Sequence, residues 1–293
     1  MRIGSGDSRV DVYHSHAVCA MLGAGGFDPV QVTFSGREAL NTGNQGESAD
    51  QDPGISAELY LSLLEGQIQL AVQAAESVPA NLPEGVILLA VTRREDPRDV
   101  LISEDPEIDL ENAAREFVIG VSTRSRAALM KHYAPKHRLI PVSESGESGI
   151  PELKSGKVDA LVLSWTRVKA LKFRTVVMKK LNAATFTPAA GQGTVAVLSV
   201  EGNSGWKEIR KNLNHEASEY SILCERAFLR TMSGRTRHPA FGLSTTIGDL
   251  LSFSGGLISE NGSAIWRSEG NNSTIHAEDL GRQIAMEILT MTN

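Results

Sequence analysis

Apolar residues recur along the chain with two spacings. Runs of about four to eight β-branched or aliphatic residues between turn formers read as strands, and apolar positions three and four apart read as one face of a helix. Over residues 1–92 the pattern predicts a helix from Val12 to Leu22, a strand from Val30 to Phe34, an amphipathic helix from Ile55 to Leu64, and strands at Ile68–Val72 and Val86–Val91. That alternation is α/β. It restarts beyond Asp99, with strands at Phe117–Val121, Leu139–Val142 and Val158–Leu163 and helices over Arg124–Tyr133, Pro151–Ser155 and Trp165–Leu171. Pro188-Ala-Ala-Gly-Gln-Gly-Thr-Val-Ala-Val197 follows, a tight glycine turn feeding a strand that runs to Val200. Gly191 and Gly193 permit positive φ and close approach of another group, and the apolar run beyond them suits a strand covered on both faces. Residues 204–231 read as one long helix, Leu243–Phe253, Gly256–Ser259 and Ala264–Ser268 as strands of an antiparallel sheet, and Ala277–Met291 as a last helix.

One gap interrupts this pattern early. Ser35 to Pro53 is rich in Gly, Asn, Ser, Gln and Asp with almost no apolar residue, the composition of a mobile surface loop. The chain as a whole has 293 residues and 41% hydrophobic composition, enough for a large core divided among two or three domains. Its 29 basic and 35 acidic residues leave a formal charge of −6, so the overall balance does not attract nucleic acid or an anionic membrane. No apolar run reaches the roughly 18 residues that span a bilayer. The opening, with Arg2, Asp7, Arg9 and Asp11, lacks the apolar core of a secretory signal, so a cytoplasmic location is expected. Cys19 and Cys224 fall in helical segments, where small buried thiols are common, and no disulfide framework is expected. His14 and His16, two apart, face different sides of a helix, so no metal site is expected.

Three stretches around the glycine turn share an order and spacing: Arg94-Glu-Asp-Pro-Arg-Asp99 before it, and Leu213-Asn-His-Glu216 and Cys224-Glu-Arg-Ala-Phe228 after it. Together with Arg2-Ile-Gly-Ser-Gly-Asp-Ser8, Leu70-Ala-Val72, Val78-Pro79, Pro83-Glu-Gly85, Gly120-Val-Ser-Thr-Arg-Ser-Arg126 and Gly156-Lys-Val-Asp-Ala-Leu-Val162, they resemble porphobilinogen deaminase, also called hydroxymethylbilane synthase, over almost the whole length. The resemblance implies two periplasmic-binding-protein-like α/β domains around a hinged cleft, plus a small C-terminal α+β domain. Domain 1 would comprise residues 1–92 and 188–203, domain 2 residues 98–184, and domain 3 residues 204–293. It also implies transferase chemistry of tetrapyrrole synthesis: four porphobilinogens joined head to tail with loss of ammonia, on a dipyrromethane thioether-linked to a cysteine of the third domain.

That chemistry needs a nucleophile to hold the cofactor, a carboxylate to steady a cationic intermediate, and cations for acetate and propionate side chains. In the family the attachment loop carries Gly-Gly-Cys shortly before Pro-x-Gly; here Ser233-Gly-Arg-Thr-Arg-His-Pro-Ala-Phe-Gly242 puts Thr236 at the cysteine, and a hydroxyl without an activating base is a poor nucleophile. Cys224, a dozen residues upstream in a helix, reads as core. Against the family's His-Ser-x-Lys-Asp-Val-Pro stands Gln73-Ala-Ala-Glu-Ser-Val-Pro79, so Ser77 takes the aspartate's place and Glu76 the lysine's. A neutral hydroxyl does not counter a developing cation as a carboxylate would. Glu76 reads as a solvated surface charge or, less readily, as a substitute, since neighbours in extended backbone face opposite ways. Gly6 replaces an arginine, Ile55-Ser-Ala-Glu58 replaces Phe-x-Lys-Glu, and Ser143-Glu-Ser-Gly-Glu-Ser-Gly149 replaces Arg-Gly-Asn-x-x-Thr-Arg, adding Glu144 and Glu147. The polar loop offers Arg37 against Glu38, Glu47, Asp50 and Asp52. Lost bidentate arginines and added carboxylates both disfavour a polycarboxylate.

Some binding groups persist. Ser122-Thr-Arg-Ser-Arg126 lies between a strand and a helix, where Ser122 and Thr123 hydroxyls, helix-start amides, Arg124 and Arg126 converge as an anion site or simply cap the helix. Gln192 bonds a ligand from the glycine turn or satisfies buried backbone, Ser8 is a cleft residue or a cap, and Arg98 with Asp99 reads as a structural ion pair at the interdomain crossing. The sequence reading is thus a family-like monomer without the usual activity, with no cofactor expected. A small anionic ligand in the cleft is the expected partner. The alternatives are an active synthase using substituted residues, and a small-anion binding or interaction protein on the same fold.

Overall fold

The computed structural model describes residues 1–35, 57–111, 115–143, 149–174, 177–202 and 205–292. The chain opens with β1 (Arg2–Gly6), α1 (Arg9–Ala24), β2 (Val30–Phe34), α2 (Ala57–Leu64), β3 (Leu70–Ala74), a single 3-10 turn (Ala75–Ser77) and β4 (Val86–Val91). It continues through β5 (Asp99–Ser103), β6 (Val118–Val121), α3 (Arg124–Tyr133), β7 (Arg138–Pro141), α4 (Gly149–Lys154), β8 (Ala160–Ser164), α5 (Trp165–Ala170) and β9 (Val177–Lys180). Then come β10 (Val195–Val200), α6 (Trp206–Leu213), α7 (Glu216–Met232), β11 (Ala240–Ile247), β12 (Leu250–Ile258), β13 (Ile265–Ser273) and α8 (Ala277–Met291).

Among the described residues the strands form three sheets, and the first two share one plan. The first runs β2-β1-β3-β10-β4, the second β7-β6-β8-β5-β9. In each, the first three strands are parallel and the fourth is antiparallel to both its neighbours. That fourth place is taken in both cases by the strand that follows a crossing: β5 as the chain enters the second lobe, β10 as it returns. Both faces of the first sheet are covered. Leu59, Tyr60 and Leu63 of α2 pack on one side, and Val18 and Leu22 of α1 with Ile209 and Leu213 of α6 on the other. The third sheet, β11-β12-β13, is antiparallel and lays one face on α7 and α8 through Phe228, Phe253, Ile284 and Ile288.

Several expectations need correction. The single helix over 204–231 is two, parted at Asn214 in extended backbone and His215, whose Nδ1 accepts from Ser218 N to cap α7. The break has a tertiary cause, because Asn214 Oδ1 accepts from Val91 N and His215 N donates to Val91 O, fastening the end of β4. Leu243–Phe253 is a hairpin rather than one strand, reversed at Gly248 with φ 59° and Asp249. The expected strand at Gly256–Ser259 is the end of β12, which stops at Ile258, and that at Ala264–Ser268 is the start of β13, which runs from Ile265 to Ser273. β1, β5 and β9 are not among the expected strands: β1 and β5 are five-residue strands with a charged first residue, β9 is a half-polar edge strand, and none shows a clear period.

Candidate functional site

The two lobes meet where the chain crosses between them, along 92–99 and 181–194. These crossings lie side by side: Glu95 N donates to Gly193 O at 2.8 Å, and Leu181 N to Asp99 O at 2.8 Å. The glycine turn sits at their junction with φ of 90° at Gly191 and 86° at Gly193. A Cβ on Gly191 would stand 2.7 Å from the backbone of Ala75 and Glu76, so the turn and the 3-10 turn touch main chain to main chain. Gly191→Ala is therefore expected to lose about 1–3 kcal/mol of stability, from strain at positive φ and from the clash, read as an earlier urea midpoint.

The Glu225-Arg226 pair inside Cys224-Glu-Arg-Ala-Phe228 explains how the third sheet's helix fixes this junction. Glu225, 1% exposed, takes Arg94 in a two-pronged pair at 2.7 Å per arm, accepts Gly191 N at 2.5 Å, and accepts both Ser244 N and Ser244 Oγ. Arg226, also buried, donates to the carbonyls of Pro79 and Ala80 at 2.8 and 3.0 Å. One residue holds the glycine turn and the next holds the loop after Ser77. Successive positions on α7 thus clamp both walls of the first lobe's edge of the cleft. Cys224 beside them is fully buried, with burial pushing its thiol up, and is core as expected; Cys19 is partly exposed.

The predicted anion site at 122–126 is assembled differently. Thr123 Oγ1 accepts from Arg126 N and caps α3, as its sequence position suggests. The Arg126 side chain, 6% exposed, turns into the hinge: Nε meets Asp99 Oδ1 at 3.1 Å, Nη1 meets Ser122 Oγ at 2.9 Å and Nη2 meets Gln192 Oε1 at 2.8 Å. Gln192 completes the set by donating to Asp99 Oδ1 and Pro97 O. Arg124 reaches across to pair with Glu260. Both arginines therefore neutralise carboxylates of the chain itself, and Gln192 and Ser122 serve the hinge. The expected Arg98–Asp99 pair does not form. Arg98 pairs with Asp96 at 2.7 Å, while Asp99 points inward to Arg126.

Glu76 overturns its surface reading. Residues 75–77 form a 3-10 turn, not extended backbone, and the Glu76 side chain is 6% exposed between the lobes. Its Oε1 lies 3.9 Å from Nη2 of Arg167, itself 5% exposed on α5 of the second lobe. Burial pushes the Glu76 carboxyl above the ordinary range, opposed by the fields of Arg167, then Arg126 and Arg94. His14, on the buried face of α1, has its pKa lowered to about 4, by burial first and Arg167 second, and its Nδ1 has no hydrogen-bond partner. Sequence reasoning missed Arg167 as a residue between the lobes and His14 as a buried one. Arg167 lies in an ordinary amphipathic segment, and a lone buried histidine has no motif.

Of the remaining predicted residues, Ser77 is partly exposed at the end of the 3-10 turn. Ser8 caps α1, accepting from Asp11 N and donating to Asp11 Oδ2 at 2.6 Å. At Gly6, where the family's arginine stood, a Cβ would fall 2.5 Å from that same Asp11 Oδ2. Thr236 is half-buried, its Oγ1 accepting from His238 N at 3.0 Å. Arg37, Glu38, Glu47, Asp50, Asp52, Ile55, Glu144 and Glu147 lie outside the described residues. A separate concavity of about 770 Å³ lies between Ala183, Ala184 and Thr187 and the outer face of the third sheet, beside Arg267 and Glu269. Among the described residues no helix is long and apolar enough to cross a membrane.

Residues 1–208 match the family model described as porphobilinogen deaminase, dipyromethane cofactor binding domain. The chain is 34% identical to a porphobilinogen deaminase of Desulfosudis oleivorans, covering 78% of this chain and 76% of that one. It is 30% identical to a porphobilinogen deaminase of Cytophaga hutchinsonii, over 99% and 93% of the two chains. Among solved structures it is similar to the methionine binding protein MetQ, with a TM-score of 0.44 and 10% identity, covering 72% of this chain and 87% of that one.

The expectation of no cofactor is overturned by the family match. The matched region is described as the dipyrromethane cofactor binding domain, so a dipyrromethane is the group that goes with this family. The expectation leaned on Thr236, which lies beyond the matched residues and bears on the covalent link, not on the binding domain. The residues of this chain do not fit that link. The loop at 233–242 has no thiol, Thr236 Oγ1 is hydrogen-bonded within its own turn, and Cys224 is sealed in the core.

Proposed function

The chain belongs to the porphobilinogen deaminase family, and on that premise we propose that it is a member which retains the hinged fold but does not join porphobilinogen into a linear bilane. The observation that carries this reading is the inward commitment of the cleft's charges. Arg126 is matched to Asp99 and Gln192, Arg124 to Glu260, and Arg94 to Glu225. A growing chain of acetate and propionate arms needs cations that its ligand can claim, and a neutral Ser77 offers no fixed negative charge for a cationic intermediate. A small anion at 122–126 has less support than the sequence suggested, since it would have to draw Arg126 away from Asp99.

The test is direct. Purified protein incubated with porphobilinogen is expected to leave it unconsumed, and bilane appearing in proportion to protein would overturn the proposal. Intact mass measured on the same samples reports any dipyrromethane carried on the chain. One observation favours an active synthase as second reading: Glu76 is a buried carboxyl beside the glycine turn, with its pKa raised, as acid-base groups often are. Should bilane form, Glu76→Gln decides whether that carboxyl does the work: a fall of about a hundredfold or more supports it.

A further inference from the structure

The third sheet packs on α7 and α8 as one unit, and that unit grips both lobes. On the first lobe it holds through α7: Glu225 takes Arg94 and Gly191 N, Arg226 takes the carbonyls of Pro79 and Ala80, and His215 N donates to Val91 O. On the second lobe it holds through the sheet. Phe241 and Ile258 join Ala128 and Leu129 of α3 in a buried cluster, with Phe186 and Ile265 against it. The turn between β12 and β13 lies flat on the same helix, where a Cβ on Gly262 would stand 2.8 Å from His132 N and 2.9 Å from Ala128 O. His132 Nδ1 donates to Gly262 O at 2.7 Å, Lys131 Nζ donates to Glu260 O at 2.9 Å, and Arg124 pairs with the Glu260 carboxylate. Arg267 of β13, stacked over the Phe241 ring at 4.6 Å, donates to Thr187 Oγ1 and to Thr185 O, each at 2.7 Å, on the return crossing.

The direct seam between the lobes is thinner. Val10 and Tyr13 of α1 meet Val168, Leu171 and Phe173, and Arg9 donates to Leu171 O at 3.3 Å. Lys169 pairs with Glu95 at the rim, but both side chains are more than a third exposed, and such a pair adds little. Arg167 and Glu76 face each other at 3.9 Å, longer than a hydrogen bond. The seam also lies on the far side of the second sheet. Its residues pack against Val100, Ile102 and Leu163, whereas α3 packs against Leu101 and Val162 on the opposite face.

We propose that the third sheet and its helices act as a brace that sets the angle between the lobes. With α7 fixed to one lobe and the β12–β13 turn fixed to the other, the unit spans the hinge, and the seam along α1 and α5 stays shut because the brace is in place. Two crossings and a small interface would by themselves leave the lobes able to turn against each other. The larger, buried contacts of the brace remove that freedom. This inference is independent of the proposed lack of bilane synthesis.

Hydrogen exchange of the full chain, followed by mass spectrometry, tests it. Gly262→Val places a branched side chain against the α3 backbone at a φ of 74°. It is expected to raise exchange at 258–265 and 128–133 and also, by about fivefold or more, at 9–13 and 167–173 of the seam. Strands β3 and β10 should keep the parent's rates. Seam rates equal to the parent's overturn the proposal, because the brace would then act only where it touches. A rise of the same size in β3 and β10 overturns it too, since the unit would then support stability at large and not the angle. Should Gly262→Val fail to fold, Arg267→Met, which drops the donations to Thr185 and Thr187, is read over the same regions. The parent protein answers as well: seam amides that open more readily than those of 258–265 overturn the brace, and seam amides that open no more readily support it.

Discussion

Glu225→Ala is expected to lower the free energy of unfolding by about 3–5 kcal/mol, the cost of stripping one partner from a buried ion pair. The loss goes beyond the Arg94 pair, because Gly191 N, Ser244 N and Ser244 Oγ all donate to the same carboxylate and would be left in a site from which water is excluded. Urea denaturation should show the midpoint falling with the slope unchanged. Glu225→Gln, which keeps the shape and an acceptor oxygen but not the charge, should fall between the parent and the alanine variant. A Glu225→Ala protein as stable as its parent would mean that α7 does not hold the glycine turn.

Asp99→Ala should cost a similar amount, about 3–5 kcal/mol, by removing the carboxylate that Arg126 holds in the buried crossing. The location differs, however. Asp99 begins β5 and lies 3% exposed at the crossing, so its loss removes one acceptor shared by Arg126 and the Gln192 amide of the return crossing. Hydrogen exchange should therefore rise first at 97–99 and 188–194 and only later in the sheets. A double variant Asp99→Ala, Arg126→Met, which removes the cation as well, is expected to recover part of the loss. If the double variant is no better than Asp99→Ala, the pair does not act as a unit.

The parts legible in the sequence were those with a strong local period or a bounded run. Arg124–Tyr133 and Ala277–Met291 were predicted to the residue, as were Val30–Phe34 and Val86–Val91, and the return of β10 to the first sheet was anticipated. What escaped was set by tertiary contact. Nothing within 204–231 says that Asn214 will leave the helix to bond Val91, and nothing in Asp99–Ser103 announces a strand whose charged first residue is buried against an arginine from α3. At the site, residue identity was readable but direction was not. Arg126 was correctly picked as a cation at a helix start, yet its side chain folds back into the hinge. Glu76 was placed on the surface because its neighbours were assumed to be extended. The cleft's charge pattern depends on which way each side chain points, and that is decided by partners about 30 to 130 residues away in sequence.

The position of β10 between β3 and β4 bears on how the protein is made. The five strands of the second sheet are contiguous in sequence, whereas the first sheet has an empty berth until residue 200 has left the ribosome. Among the described residues β4 pairs with β10 alone, so the inserted lobe can be finished while its host is still in two pieces. The part of the chain synthesised first is thus the part completed late, and it is completed around a neighbour already in place.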